Sequence, residues 1–159
     1  MNIKIICLGK IKESYLVQGI NEYSKRISKY ANLEIIELQD EPLPPSPSDK
    51  EILFIKQKEA EKISKYIKPS DYVCTLDLTG KQLSSEELAE KIQNITINGF
   101  STIDFIIGGT VGLDKSLVNS SNLLISFSKL TFPHQLIRLF LTEQIFRSFK
   151  IINNEKYHW

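Results

Sequence analysis

Cysteine is scarce in this chain: its 159 residues hold two, Cys7 and Cys74, far apart and with no cysteine or histidine beside them at metal-ligand spacing. No disulfide framework and no metal site is expected, and buried free thiols inside predicted strands are the plain reading. No apolar run reaches membrane-spanning length, and Ile3 to Leu8 is too short for a signal peptide, so a cytoplasmic location without a membrane partner is expected. Charge of one sign is also lacking. The net value is +1, whereas phosphate binding usually leaves a basic surplus. No phosphate-loop sequence occurs, and Gly108-Gly109-Thr110-Val111-Gly112 lacks the spacing and the downstream acid of a dinucleotide fingerprint. Nucleoside triphosphate hydrolysis and nicotinamide binding therefore have no support.

What is present is an ordinary globular composition, 42% hydrophobic and 25% charged, enough to bury the core of one domain over residues 1–159. Apolar runs at 3–8, 33–38, 71–78, 101–107 and 122–126 read as strands. Leu16, Ile20, Tyr23, Ile27 and Tyr30 lie on one stripe of a helix. Four prolines between Asp40 and Ser48 predict a surface loop. Ser48-Asp49-Lys50-Glu51 has capping-box spacing for a helix reaching Lys68, with Ile52, Ile55, Ile63 and Ile67 toward the core. Ser84 to about Asn98 and Asp114 to Asn119 predict two more helices, and Pro133 opens a long one to about Ile151. The alternation predicts an α/β domain with a mostly parallel sheet and helices on both faces.

In such a sheet, loops leaving the carboxyl ends of neighbouring strands face one crevice. Gly108-Gly109 and Ser126 to Phe132 are the two candidates. The second offers main-chain amides and the hydroxyls of Ser126, Ser128 and Thr131, with Leu76, Leu130 and Phe132 to cover the faces of a flat ligand; by periodicity alone those apolar residues read as core. His134 and Arg138, four residues apart, share a helical face one turn from this loop and suit either an anionic group or a helix-cap contact and a surface salt bridge. Glu143 and Arg147 have the spacing of an ordinary helical ion pair. Arg138 and Arg147, nine residues apart, point to opposite faces and form one patch only across two subunits. The basic surplus lies near these loops: residues 115–159 carry six Lys and Arg against Glu143 and Glu155.

Gly108-Gly109-x-x-Gly112, Ser126-Phe127-Ser128-Lys129-x-Thr131-Phe132-Pro133-His134-Gln135, Glu143-Gln144 and Tyr157-His158 together resemble one family, the SPOUT-type 23S ribosomal RNA pseudouridine N3-methyltransferases (ribosomal RNA large subunit methyltransferase H). The resemblance runs from the Ile3-to-Lys10 strand and Lys12-Glu13 to the tail. It implies a trefoil-knotted α/β fold, an obligate homodimer and S-adenosyl-L-methionine as cofactor. The cofactor residues it implies are Leu76, Gly108, Phe127, Ser128, Lys129, Leu130, Thr131 and Phe132. The implied substrate is a pseudouridine of 23S ribosomal RNA on the assembled ribosome. Tyr157 and His158 are the expected catalytic residues, on a tail folded over the partner's site, with His134, Arg138, Arg147 and Lys156 on the RNA. Relatives commonly carry a basic residue after the Tyr-His pair, whereas this chain has Trp159, an indole that stacks on a base but neutralises no phosphate. Two rival readings are a SPOUT 2′-O-methyltransferase acting on transfer RNA and a non-catalytic ribosome-binding dimer.

Overall fold

Five apolar runs separated by amphipathic stretches build the layered arrangement that their order predicts. The computed structural model describes residues 1–157. Its strands are β1 (Asn2–Leu8), β2 (Asn32–Leu38), β3 (Tyr72–Lys81), β4 (Thr102–Ile107) and β5 (Leu123–Ile125). Its helices are α1 (Ser14–Ile27), α2 (Asp49–Ser64), α3 (Ser85–Ile97), α4 (Lys115–Ser120) and α5 (His134–Ile152). The strands form one sheet in the order β2-β1-β4-β3-β5, and every neighbouring pair is parallel.

The central strands are apolar on both faces because helices cover both. Ile3, Ile5 and Cys7 of β1, with Ile103, Phe105 and Ile107 of β4, pack against Ile27 of α1, Leu88 and Ile92 of α3, and Leu141, Ile145 and Phe149 of α5. The alternate residues Ile6, Leu8 and Ile106 meet Ala60 and Ile63 of α2 and Leu117 of α4. Each such buried aliphatic side chain contributes roughly 1.5–3 kcal/mol. Cys7 and Cys74 are free and buried, and burial pushes both thiols up to about 12. Capping boxes open two helices: Ser48 with Glu51 at α2, and Ser84 with Glu87 at α3.

Two boundaries differ from the sequence reading in ways that shape the site. The third strand does not close at Thr79-Gly80. Ile125 pairs with both Leu76 and Lys81, so residues 77–80 arch out over the end of β5. The Ser126 amide then donates to the Lys81 carbonyl at 3.0 Å. Gly80 is required there, since a Cβ would lie 2.5 Å from the Ile125 carbonyl carbon. The fifth strand stops at Ile125 because the Ser126 hydroxyl turns to donate to the Ser128 carbonyl, 2.9 Å away. Helix α5 starts at His134, with Pro133 as its N-cap rather than its first residue.

One buried ionic cluster lies on the α2 face. The Lys4 ammonium sits 2.7 Å from Asp71 and 3.0 Å from Asp104, and Asp104 is fully buried. Burial pushes the Asp104 carboxyl up to about 6, against the pull of Lys4. The folded state thus holds a proton that the unfolded chain releases near pH 4, and this residue's contribution to stability falls as pH rises from about 4 to about 6. Asp104→Asn removes that dependence. Urea unfolding of both forms at pH 4.5 and 7 is expected to show a change in their stability difference on the order of 2 kcal/mol in the variant's favour.

Candidate functional site

The carboxyl ends of β3, β4 and β5 and the start of α5 surround one cleft of about 170 Å³. Gly108 follows β4, and Leu113 folds back over it so closely that a Cβ there would meet the Leu113 side chain at 2.9 Å. The chain reverses through Gly112, whose φ of +78° suits glycine and whose amide donates to the Gly109 carbonyl at 3.1 Å. After β5, the Ser128 hydroxyl accepts from the Leu130 amide at 3.0 Å. The resulting loop wraps one wall of the cleft.

Of the residues expected to hold a cofactor, Leu76, Gly108, Phe127, Ser128, Leu130, Thr131 and Phe132 all line this cleft. Lys129 belongs to the same loop but is not among the lining residues. Sequence reasoning does not pick out Asp77, Leu78 and Ile137, which also line it. Leu76, Ile107, Leu113, Leu130 and Ile137 make its walls apolar. Among the described residues, the main-chain N–H groups of Phe127, Thr131 and Phe132 donate to no acceptor within the chain. An apolar slot edged by free main-chain donors fits the flat adenosyl part of S-adenosyl-L-methionine, whose faces are apolar and whose edge accepts hydrogen bonds.

A second, larger cavity of about 820 Å³ adjoins the cleft across Ile125 to Ser128 and Phe132. Glu143 of α5 is its hub. Its carboxylate accepts from Arg147 at 2.6 Å, from the Gln144 amide at 2.7 Å and from the Tyr157 hydroxyl at 3.0 Å, and Gln144 accepts from Ser85 at 2.7 Å. The ion pair read from spacing is therefore real, and it is also the seat of the tail. Helix α5 ends in a Schellman arrangement, with Asn154 at φ +53° and the Glu155 amide donating to the Lys150 carbonyl at 2.9 Å. That turn sends the chain back along α5. Tyr157 then packs edge-on against Phe146 at 4.9 Å, with the Arg147 guanidinium 4.8 Å over its ring. The tail tyrosine thus packs within its own chain. Burial, with hydrogen bonds to Tyr23 and Glu143, holds the phenol well above its ordinary range. Lys156 is exposed. His158, the other expected catalytic residue, lies outside the described residues, as does Trp159.

Arg138 corrects an expectation. It is 1% exposed, and its guanidinium donates to Glu37 at 2.7 Å and to the Leu8 and Gly9 carbonyls at 3.1 Å each. A residue so enclosed does not hold an RNA phosphate. Nor do His134 and Arg138 form a joint anion site. Burial and the Arg138 charge lower the His134 pKa, with Asp40 opposing, so the imidazole is neutral near pH 7. Helical spacing places both on one face but does not show that this face is turned inward.

The family model described as "Predicted SPOUT methyltransferase" matches residues 1–158. This chain belongs to the SPOUT methyltransferase family. Within it, the chain is 54% identical to the ribosomal RNA large subunit methyltransferase H of Clostridium novyi and 56% identical to that of Finegoldia magna. Each match spans 158 residues and covers 99% of both chains. A solved structure, a probable methylase family protein from Haemophilus influenzae Rd KW20, has the same fold with a TM-score of 0.51 at 14% identity, covering 99% of this chain and 70% of that one. Among the described residues, no helix of this SPOUT chain is long and apolar enough to cross a membrane.

The burial of Arg138 has a measurable consequence. Arg138→Met leaves Glu37 and two carbonyls without their donor, and urea denaturation is expected to show a fall in stability of about 3 kcal/mol. A surface RNA contact would give almost none.

Proposed function

We propose that this protein transfers a methyl group from S-adenosyl-L-methionine to N3 of a pseudouridine in 23S ribosomal RNA. In this reading it acts on assembled ribosomes in the cytoplasm, as a homodimer of one knotted domain over residues 1–159. The observation that carries the reading is the convergence of the arch within β3 and the loops after β4 and β5 on one apolar cleft edged by free main-chain donors. The match over almost the whole chain to relatives named as large-subunit ribosomal RNA methyltransferases supports the substrate. Support for the knot comes from the backbone of Gly80 lying directly against Ile125, and from α5, which follows that crossing, packing into the core with α1 and α3. Leu130 and Leu78 are 69% and 63% exposed at the cleft, and Phe140 is 38% exposed at the adjoining cavity. Apolar exposure of this size, grouped around a site, favours cover by a second copy.

Bound S-adenosyl-L-methionine supplies a methyl group that is already electrophilic and needs no metal. The protein's task is to align the nucleophile and exclude water. Leu76, Gly108, Phe127, Ser128, Thr131, Leu130 and Phe132 would hold the adenosyl group, the last two shutting solvent from the reacting atoms. The N3 proton of pseudouridine must leave to a positioned base or to water. Tyr157 stays protonated at neutral pH and is a donor that anchors the tail on Glu143; in this reading His158 is the base that takes the N3 proton. Arg147, Lys156 and His134 remain the RNA contacts, and Arg138 drops out.

The test is transfer of labelled methyl groups to ribosomes, separate subunits and transfer RNA from cells lacking this gene, followed by nucleoside analysis. Label in N3-methylpseudouridine of the large subunit is expected; label only in transfer RNA, or none, overturns the substrate. In the same assay, His158→Ala is expected to lower kcat roughly 100-fold or more, and full turnover removes His158 as the base.

A further inference from the structure

β1 and β4 lie side by side, yet the chain leaves them in opposite directions, from β1 toward β2 on one flank and from β4 toward β5 beyond β3 on the other. Such a switch point opens a crevice at the carboxyl ends of the strands. Here the crevice is a cavity of about 690 Å³, lined by Lys10, Lys12 and Glu13 after β1, Asp40 after β2, Thr110 after β4, and His134. His134 also lines the cofactor cleft, so the two spaces meet at that residue.

We propose that this crevice seats a nucleotide of the substrate RNA adjacent to the methylated base, with its phosphate on Lys10 and Lys12. The inference rests on the RNA methyltransferase reading above and adds a place for the RNA backbone. Both lysines are exposed, and among the described residues neither has an ion-pair partner. The loop that carries them is held from beneath. The Gly9 amide donates to the Leu38 carbonyl at 2.7 Å, the Ile11 amide donates to Glu37 at 3.1 Å, and Arg138 donates to the Leu8 and Gly9 carbonyls. A Cβ at Gly9 would lie 3.5 Å from His134 Nε2 and 4.0 Å from an Asp40 oxygen. The Asp40 carboxylate and the His134 imidazole therefore lie against the backbone that leads into the two lysines. Glu13 and Asp40 disfavour a free phosphate dianion, but they accept hydrogen bonds from ribose hydroxyls and base N–H groups. That mixture suits an RNA nucleotide, in which a singly charged phosphate sits beside a 2′-hydroxyl.

The test compares Lys10→Ala/Lys12→Ala with Lys10→Arg/Lys12→Arg in methyl transfer to ribosomes over a salt series. For the alanine pair, KM is expected to rise roughly tenfold, with kcat and cofactor affinity near the unaltered enzyme's. The slope of log KM against log salt is expected to fall by about 0.7 for each phosphate that is no longer bound. The arginine pair keeps the charge and is expected to retain both KM and slope. An alanine pair with unchanged KM and slope overturns the proposal, as does equal damage in both pairs or a weakened affinity for the cofactor. If the unaltered enzyme methylates no ribosomal substrate, the methyltransferase reading itself has failed. Equilibrium binding to ribosomes then decides the crevice: weaker, less salt-dependent binding by the alanine pair supports it, and equal binding overturns it.

Discussion

A buried guanidinium links the two ends of this chain. Arg138 reaches from the first turns of α5 into the ends of β1 and β2, where Glu37 and the carbonyls of Leu8 and Gly9 receive it. Burying a charge costs several kcal/mol unless it is paired and hydrogen-bonded. Helix α5 is therefore stable only where those three acceptors converge. That position sets His134 over Gly9 and carries the loop after β5 across the ends of β3 and β4, so the apolar cleft is a consequence of how α5 is anchored.

Around the loop of residues 126–132 and the start of α5 the space divides into regions of different chemistry. The small cleft has apolar walls and main-chain donors, as a flat ligand bound by its edge requires. The larger cavity on the α1, α3 and α5 side is organised by Glu143, which gathers Arg147, Gln144 and Tyr157. The crevice on the β1 side carries charged side chains on a braced loop. All three lie at the carboxyl ends of the strands or beside them, because in a parallel sheet every loop that follows a strand emerges on that edge.

Much of this is legible in the chain. The five strands, the five helices, the Ser48–Glu51 capping box and the Glu143–Arg147 pair follow from spacing, because local geometry is governed by neighbours three or four residues away. Seven of the eight expected cofactor residues share one cleft, since each lies in or beside the loop leaving an apolar strand. Arg138 is misleading in sequence because a basic residue near a predicted site looks like a surface cation until its surroundings are known. The arch of residues 77–80 is not legible because Thr79-Gly80 signals a turn but not that Lys81 returns to pair with Ile125. Lys10 and Lys12 carry no local signal that separates them from other exposed lysines.

By itself, the sequence determined the order and type of the elements, the parallel α/β class and the loops in which a ligand site had to be sought. These depend on periodicity and turn chemistry, which are properties of short segments. The tertiary structure alone decided that Arg138 faces inward, that Tyr157 folds back onto Glu143, and that Lys10, Lys12 and His134 meet at one crevice. The first and last of these pair groups a hundred or more residues apart, and the second depends on the turn that ends α5; such contacts are set by how helices dock on the sheet, where the burial of charge and apolar surface is balanced over the whole molecule.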